Sequence, residues 1–340
     1  MLLKKDFSLK RYNTFGINAK AEGFVEIESI KDFADLHYNR FYGYNKILFL
    51  GGGSNLLFVN DYNGLIIKVS LKGKSVLKED SEYVYVESMA GEEWDEFVEF
   101  CVLNNWSGIE NLSLIPGNVG AAPIQNIGAY GVELKDVFHS LKAVNISSGE
   151  ICEFSNDDCK FGYRDSIFKN EAKGQYVVIS VVLKLKKENH ELKLQYGGVK
   201  DALSRQNILQ PSIKDVREVI CSIRQKKLPD VDKIGSAGSF FKNPFVTKDK
   251  YERIKYKYPE VVAFKENDKL YKLAAAWLID KAGWKAYREG DVGVYDKQAL
   301  VLVNYGNAKG SDILALAEKI QKSVKDTFDV DIQPEVNIVF

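Results

Sequence analysis

Histidine is nearly absent from this chain of 340 residues. There are three, His37, His139 and His190, too far apart to form a local ligand pair, and no Cys-x-x-Cys occurs. Cysteine is scarce as well: Cys101, Cys152, Cys159 and Cys221 leave successive gaps of 51, 7 and 62 residues, which is not zinc-site spacing. The expectation is four free, mostly buried thiols in a reducing compartment, and no metal. An excess of either charge is missing too, since 47 Lys and Arg balance 47 Asp and Glu. No global field draws the chain to nucleic acid or to an anionic membrane, so any anion it binds must be held by a local site. Long apolar runs are also lacking. The longest, at 176–185, is interrupted by Ser180 and Lys184 and falls short of the ~20 residues that span a bilayer. The N-terminus carries Lys4 and Lys5 with no apolar segment behind them, unlike a signal peptide. Asn111-Leu-Ser and Asn145-Ile-Ser match the glycosylation pattern by chance in that case. The reading is a cytoplasmic enzyme or binding protein.

What is present is a strand-rich first part and a helical last part. At about 150 residues per domain the length suggests two or three domains. Residues 24–28 alternate apolar and acidic side chains, as a half-buried strand does, and 47–50, 65–69 and 83–87 read as further strands. Trp94, Phe97, Val98 and Cys101 fall at i, i+3, i+4 and i+7 and predict a helix over 94–103. Residues 141–146 and 151–154 flank Ser147-Ser-Gly-Glu150 as a hairpin, and 176–186 reads as a long buried strand. Strand pairs separated by helices predict an α+β fold, not a repeating βαβ series. After a polar break at 186–191, Ser212 and Asp215 suit a capping box for a helix with Val216, Val219, Ile220 and Ile223 on one face. A second helix is expected over 273–282, stopped by Gly283. A third is capped by Ser311 with Ile313, Leu316, Ala317, Ile320 and Val324 inward. A strand over 299–303 precedes that third helix, and the last strand, 331–340, is broken by Pro334. The domain boundary is expected within 187–211.

Two phosphate-loop patterns fail. Gly51 and Gly53 could begin Gly-x-Gly-x-x-Gly, but position 56 is Leu. Gly73-Lys74-Ser75 resembles the end of a Walker A loop, but the first glycine would have to stand at 68, which is Lys. Gly51-Gly-Gly-Ser54-Asn55 after a strand can still curl its backbone N–H groups into an anion nest, with a tight turn equally open. Ile115-Pro-Gly-Asn-Val-Gly-Ala-Ala-Pro-Ile-Gln-Asn-Ile-Gly-Ala-Tyr-Gly131 is crowded with small residues and cannot form a regular helix cheaply. It would let the backbone approach a large flat ligand, with Gln125 and Asn126 as amide donors and acceptors. The alternative is an unusual buried loop.

Six motifs stand in order: Asn13-Thr-Phe-Gly16, Gly51-Gly-Gly-Ser-Asn55, Leu114-Ile-Pro-Gly117 with Pro123-Ile-Gln-Asn-Ile-Gly-Ala-Tyr-Gly131, Phe161-Gly-Tyr-Arg-Asp-Ser166, Gly238-Ser-Phe-Phe-Lys-Asn-Pro244 and Pro334-Glu335. Together they resemble the UDP-N-acetylenolpyruvoylglucosamine reductase family over essentially the whole chain. The resemblance implies a vanillyl-alcohol-oxidase-like, two-lobed FAD-binding fold with a C-terminal α+β substrate domain. It sets one lobe at 1–70 with the strand 330–340 returning to it, the other at 71–187, a tyrosine loop and linker at 188–211, and the substrate domain at 212–329. Gln195-Tyr-Gly197 looks like the tyrosine loop of the family's longer form. The family often has Val-His where this chain has Val294-Tyr295, and no role is assigned to Tyr295.

The family's reaction passes a hydride from NADPH through FAD to C3 of the enolpyruvyl group of UDP-N-acetylglucosamine enolpyruvate, and a proton to C2. The resemblance gives Arg164 the carboxylate, Ser239 the proton donation, and Glu335 the assisting acid, either protonated or acting through water. It gives Gly51, Gly52, Gly53, Ser54, Asn55, Ile115, Pro116, Gly117, Gly120, Ala121, Pro123, Gln125, Asn126, Gly128 and Ala129 to the FAD, held non-covalently because no histidine lies in these segments. It gives Tyr196, Lys227 and Asn243 to the substrate diphosphate or the nicotinamide cofactor. A monomer is expected, with no nucleic-acid partner and no membrane insertion. The competing readings are another flavin-dependent oxidase of the same fold and a non-catalytic nucleotide-sugar sensor.

Overall fold

A computed structural model describes the backbone of residues 1–340 and every side chain except those of Tyr38 and Arg40. Its contacts divide the chain into two units, each built from separate stretches.

Unit 1 comprises Met1–Phe7, Ala21–Gly52 and Asn63–Arg224. Its first sheet orders the strands Lys4–Ser8, Lys20–Ile27, Tyr62–Val69 and Ile47–Leu50. The last two run parallel, with Leu50 beside Lys68. Leu65, Ile66 and Ile67 are each 0% exposed, as an inner strand covered on both faces requires. The second sheet is antiparallel and orders Ile151–Ser155, Phe138–Asn145, Tyr176–Lys186, Tyr83–Met89 and Lys74–Glu79. The expected hairpin is its first pair. The long strand Tyr176–Lys186 is its centre, flanked on both sides by antiparallel partners. The helix Trp94–Leu103 has the predicted bounds. Trp94, Phe97, Val98 and Cys101 pack in one core with Val84, Val86, Val181 and Leu183, because a 3.6-residue period brings them to one face.

The sequence places the domain boundary at 187–211; contacts place it after Arg224, inside the helix Ile213–Lys227. The reason is a small core. Val199 and Leu203 of the helix Val199–Arg205 are buried with Val216, Val219 and Ile220, and Tyr130 and Leu194 pack against them. The expected Ser212 cap is present: Asp215 N–H donates to Ser212 Oγ (3.2 Å) and Ser212 N–H to Asp215 Oδ2 (2.8 Å).

Unit 2 comprises Ser8–Lys20, Gly53–Tyr62 and Gln225–Phe340. The strand Leu56–Phe58 runs parallel to Asn337–Val339. Asn13 closes the first stretch on itself, donating to the carbonyls of Leu9 (2.8 Å) and Ile17 (3.0 Å) and accepting from Ile17 N–H (2.9 Å). Phe15 O accepts from Asn304 Nδ2 (2.9 Å). A Cβ on Gly235 would fall 2.1 Å from the same oxygen. The Asn13-Thr-Phe-Gly16 motif thus has a structural use.

Several expected elements move, among them the strand expected over 299–303, which is Leu302–Asn304. The helix expected over 273–282 is Ala275–Lys281, because Leu270–Leu273 is a strand between Phe245–Thr247 and Ala263–Lys265. The third helix is Gly310–Phe328; Lys309 caps it, with Asp312 Oδ2 accepting Lys309 N–H (2.9 Å), and Ser311 lies in its first turn. The last strand shrinks to Asn337–Val339, since Pro334 forms only an isolated bridge with Phe241.

All four cysteines are free, but only Cys101 and Cys159 are buried, with Cys152 and Cys221 half-buried. Burial pushes the Cys159 thiol up to about 12 and raises Cys101 as well. An alkylating reagent at neutral pH should therefore modify at most Cys152 and Cys221 in the folded protein, and all four after denaturation. Peptide mapping checks this, and a modified Cys101 or Cys159 in folded protein would contradict it. Asn111 is 0% exposed and closed to a glycan. Among the described residues no cluster of three His, Cys, Asp or Glu side chains could hold a metal ion, and no helix is long and apolar enough to cross a membrane.

Candidate active site

In unit 1 the two glycine-rich segments meet. A Cβ on Gly52 would lie 2.8 Å from Gly117 Cα and 2.9 Å from Asn118 Oδ1. Gly120 sits against Ala90, where a Cβ would fall 2.5 Å from the alanine methyl. The second segment is pinned by backbone bonds from Trp94 N–H to Gly117 O (2.9 Å), Val119 N–H to Glu92 O (2.9 Å) and Gly120 N–H to Ala90 O (3.0 Å). Asn118 Nδ2 adds a bond to Gly91 O (2.7 Å). The segment forms a short 3₁₀ turn, Val119–Gln125, and no regular helix. Among the described residues, no protein acceptor takes the N–H of Gly51 or Gly52. Two backbone stretches in contact, with glycine on each side and N–H groups to offer, fit the diphosphate of a dinucleotide.

The loop carrying Arg164 closes on this segment. Gly162 and Asp165 bond to each other through their backbones (3.0 and 3.3 Å), which holds Arg164 in the left-handed region at φ +53°. Arg164 Nη2 donates to Gly128 O (2.7 Å), and Ser166 Oγ donates to Ile124 O (2.6 Å). A Cβ on Gly128 would stand 3.0 Å from Arg164 Nη1, so glycine is what admits the guanidinium here. Asn126 departs from its expected part. It is buried, and its side chain is engaged by Glu133 Oε2 (3.0 Å), Gly162 O (2.9 Å) and Lys135 N–H (3.0 Å). It ties the Arg164 loop to the glycine segment and has no amide proton left for a ligand.

Tyr196 is 52% exposed. Its ring lies over Gly131, where a Cβ would fall 2.2 Å from Cδ2, while the ring of Tyr130 lies over Gly197 at 2.4 Å. Two Tyr-Gly pairs therefore interlock, with Gly131 and Gly197 both at positive φ. Asn111, not anticipated from the sequence, fastens them: its Nδ2 donates to Tyr130 O and Lys193 O, both at 2.8 Å. Burial raises the pKa of the Tyr130 phenol, and the nearby Arg224 charge opposes that rise. Burial in turn lowers the Arg224 pKa.

Unit 2 brings Ser239 and Glu335 onto neighbouring backbones. Glu335 N–H donates to Phe240 O (2.7 Å), Lys242 N–H to Gln333 O (2.9 Å) and Phe240 N–H to Leu300 O (2.8 Å). Phe240 and Phe241 anchor the turn as buried rings 5.1 Å apart. Gly238, at φ +69°, turns the chain so that Ser239 is exposed between them and solvent. Asn55 joins this cluster: its Nδ2 donates to Glu335 O (3.4 Å), and its carbonyl accepts from Asn337 Nδ2 (2.9 Å). Gly53, at φ +68°, lies so close to Tyr12 O that a Cβ would stand 2.0 Å away. Asn243 Oδ1 caps the helix Ala275–Lys281 through Ala275 N–H (2.9 Å), a bond that uses its oxygen and not its amide protons. Lys227 is exposed. Tyr295 is buried in a core with Val301 and Val303.

Residues 229–339 match the C-terminal domain of UDP-N-acetylenolpyruvoylglucosamine reductase, and residues 22–155 match an FAD binding domain. The chain is 48% identical over 340 residues to the UDP-N-acetylenolpyruvoylglucosamine reductase of Flavobacterium johnsoniae, covering 100% of both. It is 46% identical over 337 residues to that of Pseudomonas aeruginosa, covering 99% of this chain and 98% of the relative. The crystal structure of the Thermus caldophilus enzyme of the same name aligns over 99% of each chain with a TM-score of 0.67 at 23% identity, which shows a shared fold.

Proposed function

The chain belongs to the UDP-N-acetylenolpyruvoylglucosamine reductase family, and on that premise we propose how its residues carry the reaction. It is an FAD-dependent oxidoreductase of peptidoglycan synthesis, acting with NADPH on UDP-N-acetylglucosamine enolpyruvate. When bound, the flavin supplies hydride transfer between NADPH and C3 of the enolpyruvyl group. Gly51, Gly52, Gly117 and Gly120 line the cradle for its diphosphate, with Gly53, Ser54 and Asn55 continuing the same loop. The flavin is held without a covalent bond.

Arg164 holds the enolpyruvyl carboxylate, because a guanidinium stays charged and grips two oxygens at once. The Ser239 hydroxyl gives its proton to C2. An ordinary serine is a weak acid, so the transfer proceeds only as C2 becomes strongly basic. Glu335 assists as a neutral acid or through a water, since a carboxylate beside a developing enolate would repel it. Tyr196, on the loop we assign to the family's longer form, acts with Lys227 and the Asn243 amide to hold the diphosphate or the nicotinamide cofactor. The observation that supports the Ser239 and Glu335 roles is the backbone hydrogen bond from Glu335 N–H to the carbonyl of Phe240, the residue that follows Ser239. The protein works as a cytoplasmic monomer, without a nucleic-acid partner.

NADPH oxidation measured with and without the enolpyruvyl substrate tests this reading. Oxidation should require the substrate, and acid denaturation should release all the yellow colour. Equal oxidation with oxygen alone would point to an oxidase, and none in either case to a sensor.

A further inference from the structure

Lys68 stands behind the glycine cradle. It is a half-buried residue of the strand Tyr62–Val69, in register with Leu50 at the end of the parallel strand that leads into Gly51. Its Nζ donates to Gly51 O at 2.7 Å. Glu26 and Glu93 are near enough to act on it electrostatically, as is Lys72. No carboxylate hydrogen bond to Nζ is formed among the described residues, so its donor is aimed at a backbone carbonyl.

The peptide bond makes this contact consequential. No cis peptide occurs among the described residues, and in a trans peptide the carbonyl and the following N–H point in opposite directions. Holding the Gly51 carbonyl toward Lys68 therefore turns the Gly52 N–H away from it. Glycine stands on both sides of that peptide, so no Cβ opposes its turning over. In the reversed orientation a carbonyl oxygen, not an N–H, would face a bound anion.

We propose that Lys68 is the positioning residue of the diphosphate cradle: its ammonium fixes the Gly51–Gly52 peptide with the N–H toward the anion and sets a positive charge behind it. This rests on the assignment of the flavin diphosphate to Gly51–Gly52. It predicts a defect confined to ligands that carry the diphosphate.

The test is titration of apoprotein with FAD and, separately, with riboflavin, followed by flavin fluorescence, for the wild type and Lys68→Met. Lys68→Gln is measured by the same criteria, in case the methionine variant does not fold. FAD should bind the variant about tenfold more weakly, while riboflavin binds as to the wild type and the apoprotein melts at an unchanged temperature. A loss of FAD affinity under threefold, or an equal loss for riboflavin, would overturn the proposal. A wild type that binds FAD no better than riboflavin would instead remove the diphosphate assignment on which it rests.

Discussion

Ser239→Ala should leave the bleaching of bound flavin by NADPH near its normal rate. The return of colour on adding enolpyruvyl substrate should slow by about 10²–10⁴-fold, the usual contribution of a placed general acid. The asymmetry follows from chemistry, since only the second half-reaction needs a proton at C2. It also follows from the local fold. Ser239 is exposed, and its backbone is held by a bridge to Val301. Loss of one exposed hydroxyl should shift stability by less than about 0.5 kcal/mol. Rapid-mixing absorbance on the two half-reactions decides the matter. Equal slowing of both would remove Ser239 as the specific proton donor.

Trp94→Ala should be the most destabilising single change in unit 1. The indole is 1% exposed, and its N–H donates to Leu112 O at 2.9 Å. Truncating a buried Trp costs about 3–5 kcal/mol, and an orphaned carbonyl adds about 1–3. Against a total stability of about 5–15 kcal/mol, that is a large share. Flavin uptake should fall as well, because the lost side chain packs beneath the segment that its backbone N–H holds. Its side chain holds Leu112, and its backbone N–H holds Gly117. Trp94→Phe keeps most of the buried ring and loses the side-chain bond, so it should retain most of the stability. Denaturant unfolding of the apoprotein and FAD titration report the two effects, and an unchanged midpoint for Trp94→Ala would refute the argument.

Periodicity made parts of this fold readable. The helix Trp94–Leu103 announces itself because its apolar residues repeat with the helical turn, and Tyr176–Lys186 because a central strand is apolar throughout. Cap chemistry was legible at Ser212, where residue i bonds residue i+3. It misled at Ser311, because Lys309 stands at the cap and Asp312 accepts its N–H. The domain boundary could not be read, since it depends on Val199 and Val219 sharing a core with Tyr130, which no local pattern reports. The site divides in the same way. Ser239, Glu335 and Arg164 sit in motifs of distinctive composition. Asn111 and Lys68 lie in none of the six ordered motifs, and their partners lie up to 82 residues away. Asn126 shows the converse, since a promising amide in a glycine segment is consumed by Gly162, Glu133 and Lys135.

The parallel pairing of Leu56–Phe58 with Asn337–Val339 bears on how the chain is made. The Asn55–Asn337 bonds join residues 282 apart. At about 5–20 residues per second, a ribosome needs roughly 15–60 s to cover that distance. Over that interval the early strand lacks its partner, and unit 2 cannot complete itself until Asn337–Val339 has been made. Much of unit 1, whose last stretch closes at Arg224, can condense while the polypeptide is still tethered. The order of assembly is thus set by the direction of synthesis, with the strand Asn337–Val339, just past Glu335, added after unit 1.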